Sequence, residues 1–348
     1  MRIGIIVGKD EEFYEDEFFY DITPKKYYQN GGIHTDVAVA MTIKQGYPDV
    51  TVDIILPNQV SLARLKKNNV NFILGYDCIN QILGEPYVKK FSGPKGYDKL
   101  KDIYSNKDSK IFPPMEFLEF IWAKDKYLTV LNKKNVPITP TITVTVNTYK
   151  KLLGAIQRKG WKEFIIKPVG GTVAVGVERF CSSKCMKDPI ILKKYFDDHK
   201  EYYDKFLVQE SIKGFNKYGE IKMYWINEEY SYAVNTPAGS GTDYEDYKIK
   251  LVKDKKVLEA CKKIGEETLK CLPKIKVGKT VIKPVMVRTD FTCCQENKKH
   301  IPSNYFLNEI EHQDAGSYTN FEEIQYPYVQ VMADAFVKKA NELVNAGF

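Results

Sequence analysis

Long apolar runs are missing from this chain: nothing in its 348 residues approaches the ~18 that a membrane-spanning helix needs. The opening Met1-Arg2-Ile3-Gly4-Ile5-Ile6-Val7 is too short for a secretory leader and soon meets Asp10, Glu11 and Glu12, so it reads as a first buried strand. Cysteine is sparse and odd in number, at seven. Cys181/Cys185 and Cys293/Cys294 lack zinc-site partners at the usual spacing, and a reduced, cytoplasmic protein is expected. There is no GxxxxGK(S/T) loop and no dinucleotide fingerprint, which excludes Walker-type and Rossmann-type phosphate turns. Helix-turn-helix, zinc-finger and RNP signatures are absent, as are internal repeats and extended low-complexity segments.

What remains is ordinary globular composition, 43% apolar and 28% charged. The formal charge of +7 comes from basic and acidic residues that are interspersed, with only short lysine runs. The 24 Tyr and 18 Phe would allow base stacking. Without a nucleic-acid motif, the expectation is a solvated lysine-rich surface and an anionic small ligand, with no nucleic acid and no membrane as partner.

The N-terminal part alternates strand and helix signals. Residues 2–7, 51–56 (TVDIIL) and 70–74 (VNFIL) read as strands; 35–45 (TDVAVAMTIKQ) and 61–67 read as helices, with Ser61 as an N-cap. Such alternation implies a parallel sheet covered on both faces, which binds ligands at the carboxyl ends of its strands. Gly31-Gly32 and Gly75-Tyr76-Asp77 would face that edge. Residues 86–110, rich in Lys, Gly, Pro and Tyr, mark a boundary. A small α+β block follows: helices at 115–123 and 126–134, a strand at 141–146, a helix at 149–158 and a strand at 163–167. From Phe206 onward the pattern is strand-dominated (206–209, 221–226, 230–234, 281–291 and 305–311), interrupted by a lysine-rich helix at 253–270.

Three places carry chemistry. In the first, a buried strand ends on Lys167, Pro168 stops the ladder, and a loop through Gly170, Gly171 and Gly176 leads to a second apolar segment. Glycines let backbone N–H groups approach phosphate oxygens and Lys167 adds a point charge; the alternative is a simple tight turn. In the second, Val208-Gln209-Glu210-Ser211-Ile212 runs from a strand into a segment whose backbone could pair with an adenine edge. Close by, Glu220 and Lys222 share one strand face, as ribose and phosphate ligands or as a mere ion pair.

The third is the strongest. Arg288 and Asp290 lie on one face of their strand, Glu309 and Glu311 on one face of theirs, and the polar stretch 295–299 between suggests that the strands pair as a hairpin. Three carboxylates on one face repel unless a cation joins them, and all-oxygen ligation suits Mg2+, which takes its other ligands from substrate phosphates.

In this order, Asp125-Lys126, Ile166-Lys167-Pro168 with its glycine loop, Val208-Gln209-Glu210, Arg288-Thr289-Asp290 and Asn308-Glu309-Ile310-Glu311 resemble the ATP-grasp enzymes. Phe112-Pro113-Pro114 and Val136-Pro137-Ile138-Thr139-Pro140 fit the same pattern. The nearest subgroups are D-alanine–D-alanine ligases, glutathione synthetases and ribosomal-protein glutamate ligases. The resemblance covers 111 to about 320 and rests only on the α/β pattern before that.

It implies an N-terminal parallel α/β (pre-ATP-grasp) domain over 1–110, then a two-lobed ATP-grasp fold: a small lid lobe over 111–205 and a large lobe with the metal-binding hairpin over 206–348. It further implies that Lys126 and Lys167 hold ATP phosphates under a loop of Gly170, Gly171, Thr172 and Gly176. Gln209, Glu210, Ser211 and Ile212 would read adenine, Glu220 the ribose and Lys222 a phosphate. Asp290, Glu309 and Glu311 would hold two Mg2+ ions, with Mn2+ as a substitute, and Arg288 would stabilise the transferred phosphoryl group or the oxyanion. Lys222 stands where related sequences often have Arg, and Glu311 where many have Asn.

The implied activity is a ligase that activates a small-molecule or peptide carboxylate as an acyl phosphate for attack by an amine or thiol. A hydroxyl kinase of the same fold and a non-catalytic ATP binder are the alternatives, and a homodimer is compatible with either. No histidine base is needed, and His34, His199, His300 and His312 read as surface residues, with His312 set apart because it follows Glu311.

Overall fold

The computed structural model describes residues 1–8, 13–75, 102–170, 176–237, 249–293, 304–313, 315–320 and 324–348. Gly171, Thr172, His300, Tyr76 and Asp77, the stretch 295–299 and most of 86–110 lie outside the described residues.

Strands β1 (Arg2–Ile6), β2 (Thr51–Ile55) and β3 (Val70–Ile73) form a parallel sheet in the order β2-β1-β3. Ile3, Ile5 and Ile6 are fully buried, as expected of a strand with both faces covered. Gly4 between them is required by space: a Cβ there would lie 1.9 Å from Oδ1 of Asn71. Asn71 is itself tied to Asn68 and through it to Asp53, a buried polar network that locks the strands together. Short helices α1 (Glu17–Ile22) and α3 (Leu62–Leu65) and the longer α2 (Thr35–Gly46) connect these strands, and Ser61 caps α3 by accepting from the Arg64 amide. Helices α4 (Met115–Trp122) and α5 (Lys124–Lys133) come next.

A second sheet has the order β4-β7-β5-β6, from β4 (Thr141–Thr145), β5 (Glu163–Pro168), β6 (Glu178–Cys181) and β7 (Lys205–Glu210). Helices α6 (Leu152–Lys159), α7 (Ser182–Lys187) and α8 (Ile190–His199) cover one face. Phe164, Ile166, Phe196, Phe206 and Val208 make a core separate from the rest of the protein. Burying each large side chain contributes about 1.5–3 kcal/mol, so this lobe holds itself together. Its limits differ from the expected 111–205. Strand β7 completes this sheet, while Phe117, Leu118, Tyr127 and Leu131 of α4 and α5 pack into the main core instead.

The third sheet is antiparallel, β10-β9-β8-β13-β14. Its strands are β8 (Glu220–Ile226), β9 (Glu229–Thr236), β10 (Lys250–Leu251), β13 (Met286–Cys293) and β14 (Tyr305–His312), and helix α9 (Lys213–Tyr218) leads into β8. Pro284 divides the single strand expected at 281–291: β12 (Thr280–Ile282) pairs with β11 (Ile275–Val277) as a separate ribbon, and β13 starts afresh. The amphipathic α10 (Lys255–Lys270) lies behind this sheet, where Gly265 makes room for Trp225; a Cβ would come within 2.2 Å of the indole. The C-terminal α11 (Tyr328–Asn345), unforeseen in the sequence, returns to the first sheet, with Tyr47 donating to Asp334 at 2.6 Å and Phe336 packing on Phe72.

The two antiparallel sheets meet along 137–140. Leu307 exchanges hydrogen bonds with Pro137 and Thr139, and the Glu210 amide donates to the Pro140 carbonyl. This seam brings the end of β7 beside the edge of β14.

Candidate active site

Register decides which side chains of the third sheet share a face. Asp290 stands opposite Lys222 on one side and Glu309 on the other; Arg288 stands opposite Tyr224 and Glu311. The expected pairing of the two acidic strands is therefore present, with Thr289 and Ile310 turned to the opposite face, where Trp225 donates to Thr289 Oγ1 at 2.8 Å. Arg288 grips Asp290 through Nε at 2.8 Å and Nη2 at 2.9 Å, a forked contact that fixes both side chains. The ammonium of Lys222 bridges Asp290 at 3.0 Å and Glu220 at 2.7 Å. A compact point charge suits a bridge between two carboxylates better than a planar fork would.

The ladder slips one residue after Asp290, which faces Glu309, whereas Phe291 faces Leu307. Asn308 is the extra residue, and such a bulge re-aims side chains. Asn308 Nδ2 reaches Glu220 Oε1 at 2.9 Å, so three strands contribute to one polar network.

Two lysines come from other elements. On α5 the buried residues are Tyr127, Leu128 and Leu131, and Lys124 shares their helix face by its i, i+3, i+4, i+7 spacing. Its ammonium pairs with Glu309. Lys126, expected in this place, lies about 200° around the same helix and is exposed. The structure thus brings Lys124, and not Lys126, to the carboxylates. Lys167 lies on the face of β5 opposite its lobe's core, half-buried, in the field of Lys124, Glu309, Glu220 and Glu311.

The charges perturb one another. Burial opposes the charge on Lys124, but Glu309 and Glu311 outweigh it and hold the ammonium protonated above its usual range. Lys222 and Arg288 pay the same burial penalty and are held well up by Asp290 first. Burial pulls Lys167 down and neighbouring Lys124 adds to this, against the carboxylates. Burial would raise Glu309, but Lys124 and Lys167 bring it down to about 2. Burial and the charge of Glu309 push Glu311 the other way, up to about 7. Asp290 adds to that push, which marks an excess of negative charge around Glu311.

The glycine loop is described only at its ends. Gly170 has φ +79°, and a Cβ there would lie 2.7 Å from the Trp122 indole nitrogen. Gly176 has φ +70°, and its carbonyl accepts from the Tyr195 hydroxyl at 2.6 Å. Both positions need glycine on conformational grounds. Along 209–212, Gln209 Nε2 bonds Thr141 Oγ1 at 2.9 Å, and the amides of Glu210 and Ser211 donate to Pro140 and Glu163. Those two amides belong to the small lobe's own ladder; Ile212 is buried at the start of α9.

Two histidines depart from the expected surface placement. His34 and His312 are buried, and burial lowers His312 to about 3. Gln313, which carried no signal in the sequence, donates through Nε2 to the Ile73 and Phe112 carbonyls and ties the end of β14 to the carboxyl edge of the first sheet. Among the described residues no three His, Cys, Asp or Glu side chains converge as a ready metal cage. The carboxylates are held by lysine and arginine instead.

No family model and no curated protein matches the chain. Solved structures do. D-cycloserine synthetase DcsG is similar at a TM-score of 0.64 and 13% identity, over 98% of this chain and 100% of that one. The D-alanine–D-alanine ligase from Bacillus anthracis, complexed with ATP, gives 0.60 at 12% identity over 100% of both chains. The ATP-grasp ligase PsnB, complexed with a minimal precursor, gives 0.59 at 10% identity over 97% of this chain and 98% of that one. The chain has the ATP-grasp fold.

Proposed function

We propose that this protein is an ATP- and Mg2+-dependent ligase that joins a small-molecule or peptide carboxylate to an amine through an acyl phosphate. The observation that carries the reading is the meeting of two sheets over one charge cluster. Lys167 of the small lobe lies in the field of Glu309, Glu220 and Glu311 of the large lobe. Glu309 is paired with Lys124, Glu220 with Lys222, and Asp290 with both Lys222 and Arg288. The neighbours' chemistry supports it: one is a ligase solved with ATP, another is PsnB solved with a precursor, Mg and ADP.

The donor set fits a hard cation. Asp290, Glu309 and Glu311 offer only oxygen, the donor type that a hard cation takes. When bound, Mg2+ would neutralise charge on the transferring phosphoryl oxygens. The chain's own residues do the rest. Lys124, in the role expected of Lys126, and Lys167 hold phosphates. Glu220 takes the ribose hydroxyls, and the backbone of 210–212, apart from the Glu210 and Ser211 amides that the ladder uses, reads adenine. Arg288, oriented by Asp290, faces the charge that builds on the reacting group. The three sheets support a division into a first α/β domain, a lid over 141–210 and a large lobe.

The test is product accounting. Purified protein with Mg-ATP is offered pools of amino acids, peptides and other carboxylates, and both ADP and phosphate are followed. Equal ADP and phosphate, dependent on both an acid and an amine, is the expected result. ADP without phosphate would make the protein a kinase.

A further inference from the structure

We infer that Tyr224 and Tyr232 are positioning residues that hang the 315–319 loop on the sheet and, through it, fix the orientation of Arg288. This rests on the ligase reading above and assigns the tyrosines a part in it.

The sheet face beyond the acidic cluster is aromatic. Tyr224 of β8 pairs with Arg288 on one side and with Tyr232 of β9 on the other. The rings of Tyr224 and Tyr232 stack at 4.2 Å and 5°, and Tyr326 stacks on Tyr232 at 4.2 Å and 26°. Phenylalanine would stack equally well, so packing alone does not call for the hydroxyls. They are aimed at successive carbonyls of one irregular loop: Tyr224 donates to Gly316 at 2.5 Å and Tyr232 to Ser317 at 2.9 Å.

The Gly316 carbonyl is a shared node, because Arg288 Nη1 donates to it at 3.3 Å. Asp290 holds the Nε–Nη2 edge of the guanidinium, so the carbonyl is what steadies its remaining end. Turning two consecutive carbonyls toward the sheet also dictates the path of the next residue. Tyr318 has φ +58°, a left-handed conformation that costs a non-glycine residue about 1 kcal/mol and persists where its surroundings impose it. Its ring then lies 6.0 Å from Arg288 Cζ and 5.9 Å from Lys222 Nζ, over both cations. The loop wall hangs from two phenols and meets both cations, which Asp290 holds from the other side.

Tyr224→Phe and Tyr232→Phe keep each ring and remove each donor. The probe is Mg-ADP alone and Mg-ADP with aluminium fluoride, whose square-planar anion stands in for the transferring phosphoryl group. Calorimetry of wild type should show tighter binding when fluoroaluminate is present. In either Phe variant Mg-ADP affinity should hold, while the tightening shrinks by about tenfold, the scale of one lost charged contact. Arg288→Met should lose it likewise. Hydrogen exchange at 315–319 should quicken in the variants while 305–311 stays unchanged. Full tightening in both variants would overturn the assignment, as would an equal loss of Mg-ADP itself, which would mean a merely structural role. A wild type that binds no Mg-ADP would instead sink the ligase reading beneath it.

Discussion

Asp290 and Glu309 stand opposite each other across the β13–β14 ladder, yet they are held by different cations: Asp290 by Arg288 and Lys222, Glu309 by Lys124. The difference separates two substitutions that would otherwise look alike. Asp290 is 1% exposed, so Asp290→Asn leaves two buried cations without their main partner and should cost about 3 kcal/mol of stability. Glu309 has 19% of its side chain exposed and its ion pair among the described residues is with Lys124, so Glu309→Gln should cost far less. Both should abolish Mg2+-dependent ATP turnover. Urea midpoints and ADP production check this; near-normal turnover in Glu309→Gln would remove the acidic face from the mechanism.

Lys124 and Lys126 give a direct comparison within one turn of α5. Lys124 faces the cluster and Lys126 faces solvent. Lys124→Ala should weaken Mg-ATP binding by roughly 1–3 kcal/mol, the scale of a lost charged hydrogen bond. Lys126→Ala should stay within about 0.5 kcal/mol of wild type, as for other surface changes. The reverse order of effects would restore Lys126 to the phosphate site.

That pair also shows where the sequence was legible. Alternation along a strand is a rigid rule, so the shared faces of Arg288 and Asp290, Glu309 and Glu311, and Glu220 and Lys222 followed from spacing two apart. On α5 the inward face depends on which residues find a core, and Tyr127, Leu128 and Leu131 select Lys124 only once α4 and β14 are in place. The bulge at Asn308 has no local signature at all, being set by two strands jointly. Strand β7, expected with the strands after Phe206, pairs instead between β4 and β5, since its apolar run would suit either sheet. The hydrogen-bonded seam at 137–140 that settles its surroundings involves residues far apart in the chain. The resemblance to ATP-grasp enzymes supplied order, which spacing alone did not.

His312 should give stability a pH dependence. Its ring is buried in β14 and its pKa falls from 6.5 to about 3 because burial disfavours the charged form. Below pH 6.5 the unfolded chain takes up a proton there that the folded chain refuses, so stability is full above 6.5 and falls as pH drops toward 3. The slope from this group reaches at most ~1.4 kcal/mol per pH unit. His312→Gln should lose that share of the slope, seen as a smaller shift of the urea midpoint between pH 7 and 5. An identical shift in wild type and variant would mean that His312 charges freely in the folded state.

The last prediction concerns motion of the small lobe. An acyl phosphate open to water hydrolyses, so the site must close before chemistry. The lobe is built to move as a body: Phe164, Ile166, Phe206 and Val208 form a core of their own, while its inward face offers Lys167 and Leu207 to the rest of the protein. Its chain connections to the rest run through 137–140 and the step from β7 to α9, and Lys205 pairs with Asp125 of α5 across the junction. Gly170 and Gly176, both at positive φ, bracket the loop that would cover the phosphates. Without nucleotide, amides of β5, β6 and the loop ends should exchange faster than those of β1 and β3. Mg-ATP should slow them, because phosphates bound to Lys167 and to loop amides tether the lobe to Lys124 and Glu309 on the other side. Lys167→Ala should bind nucleotide more weakly and lose most of that protection, while Lys126→Ala keeps it. If exchange at Val169, Gly170 and Gly176 is the same with and without Mg-ATP in the wild type, the loop is a fixed turn and the intermediate has no cover.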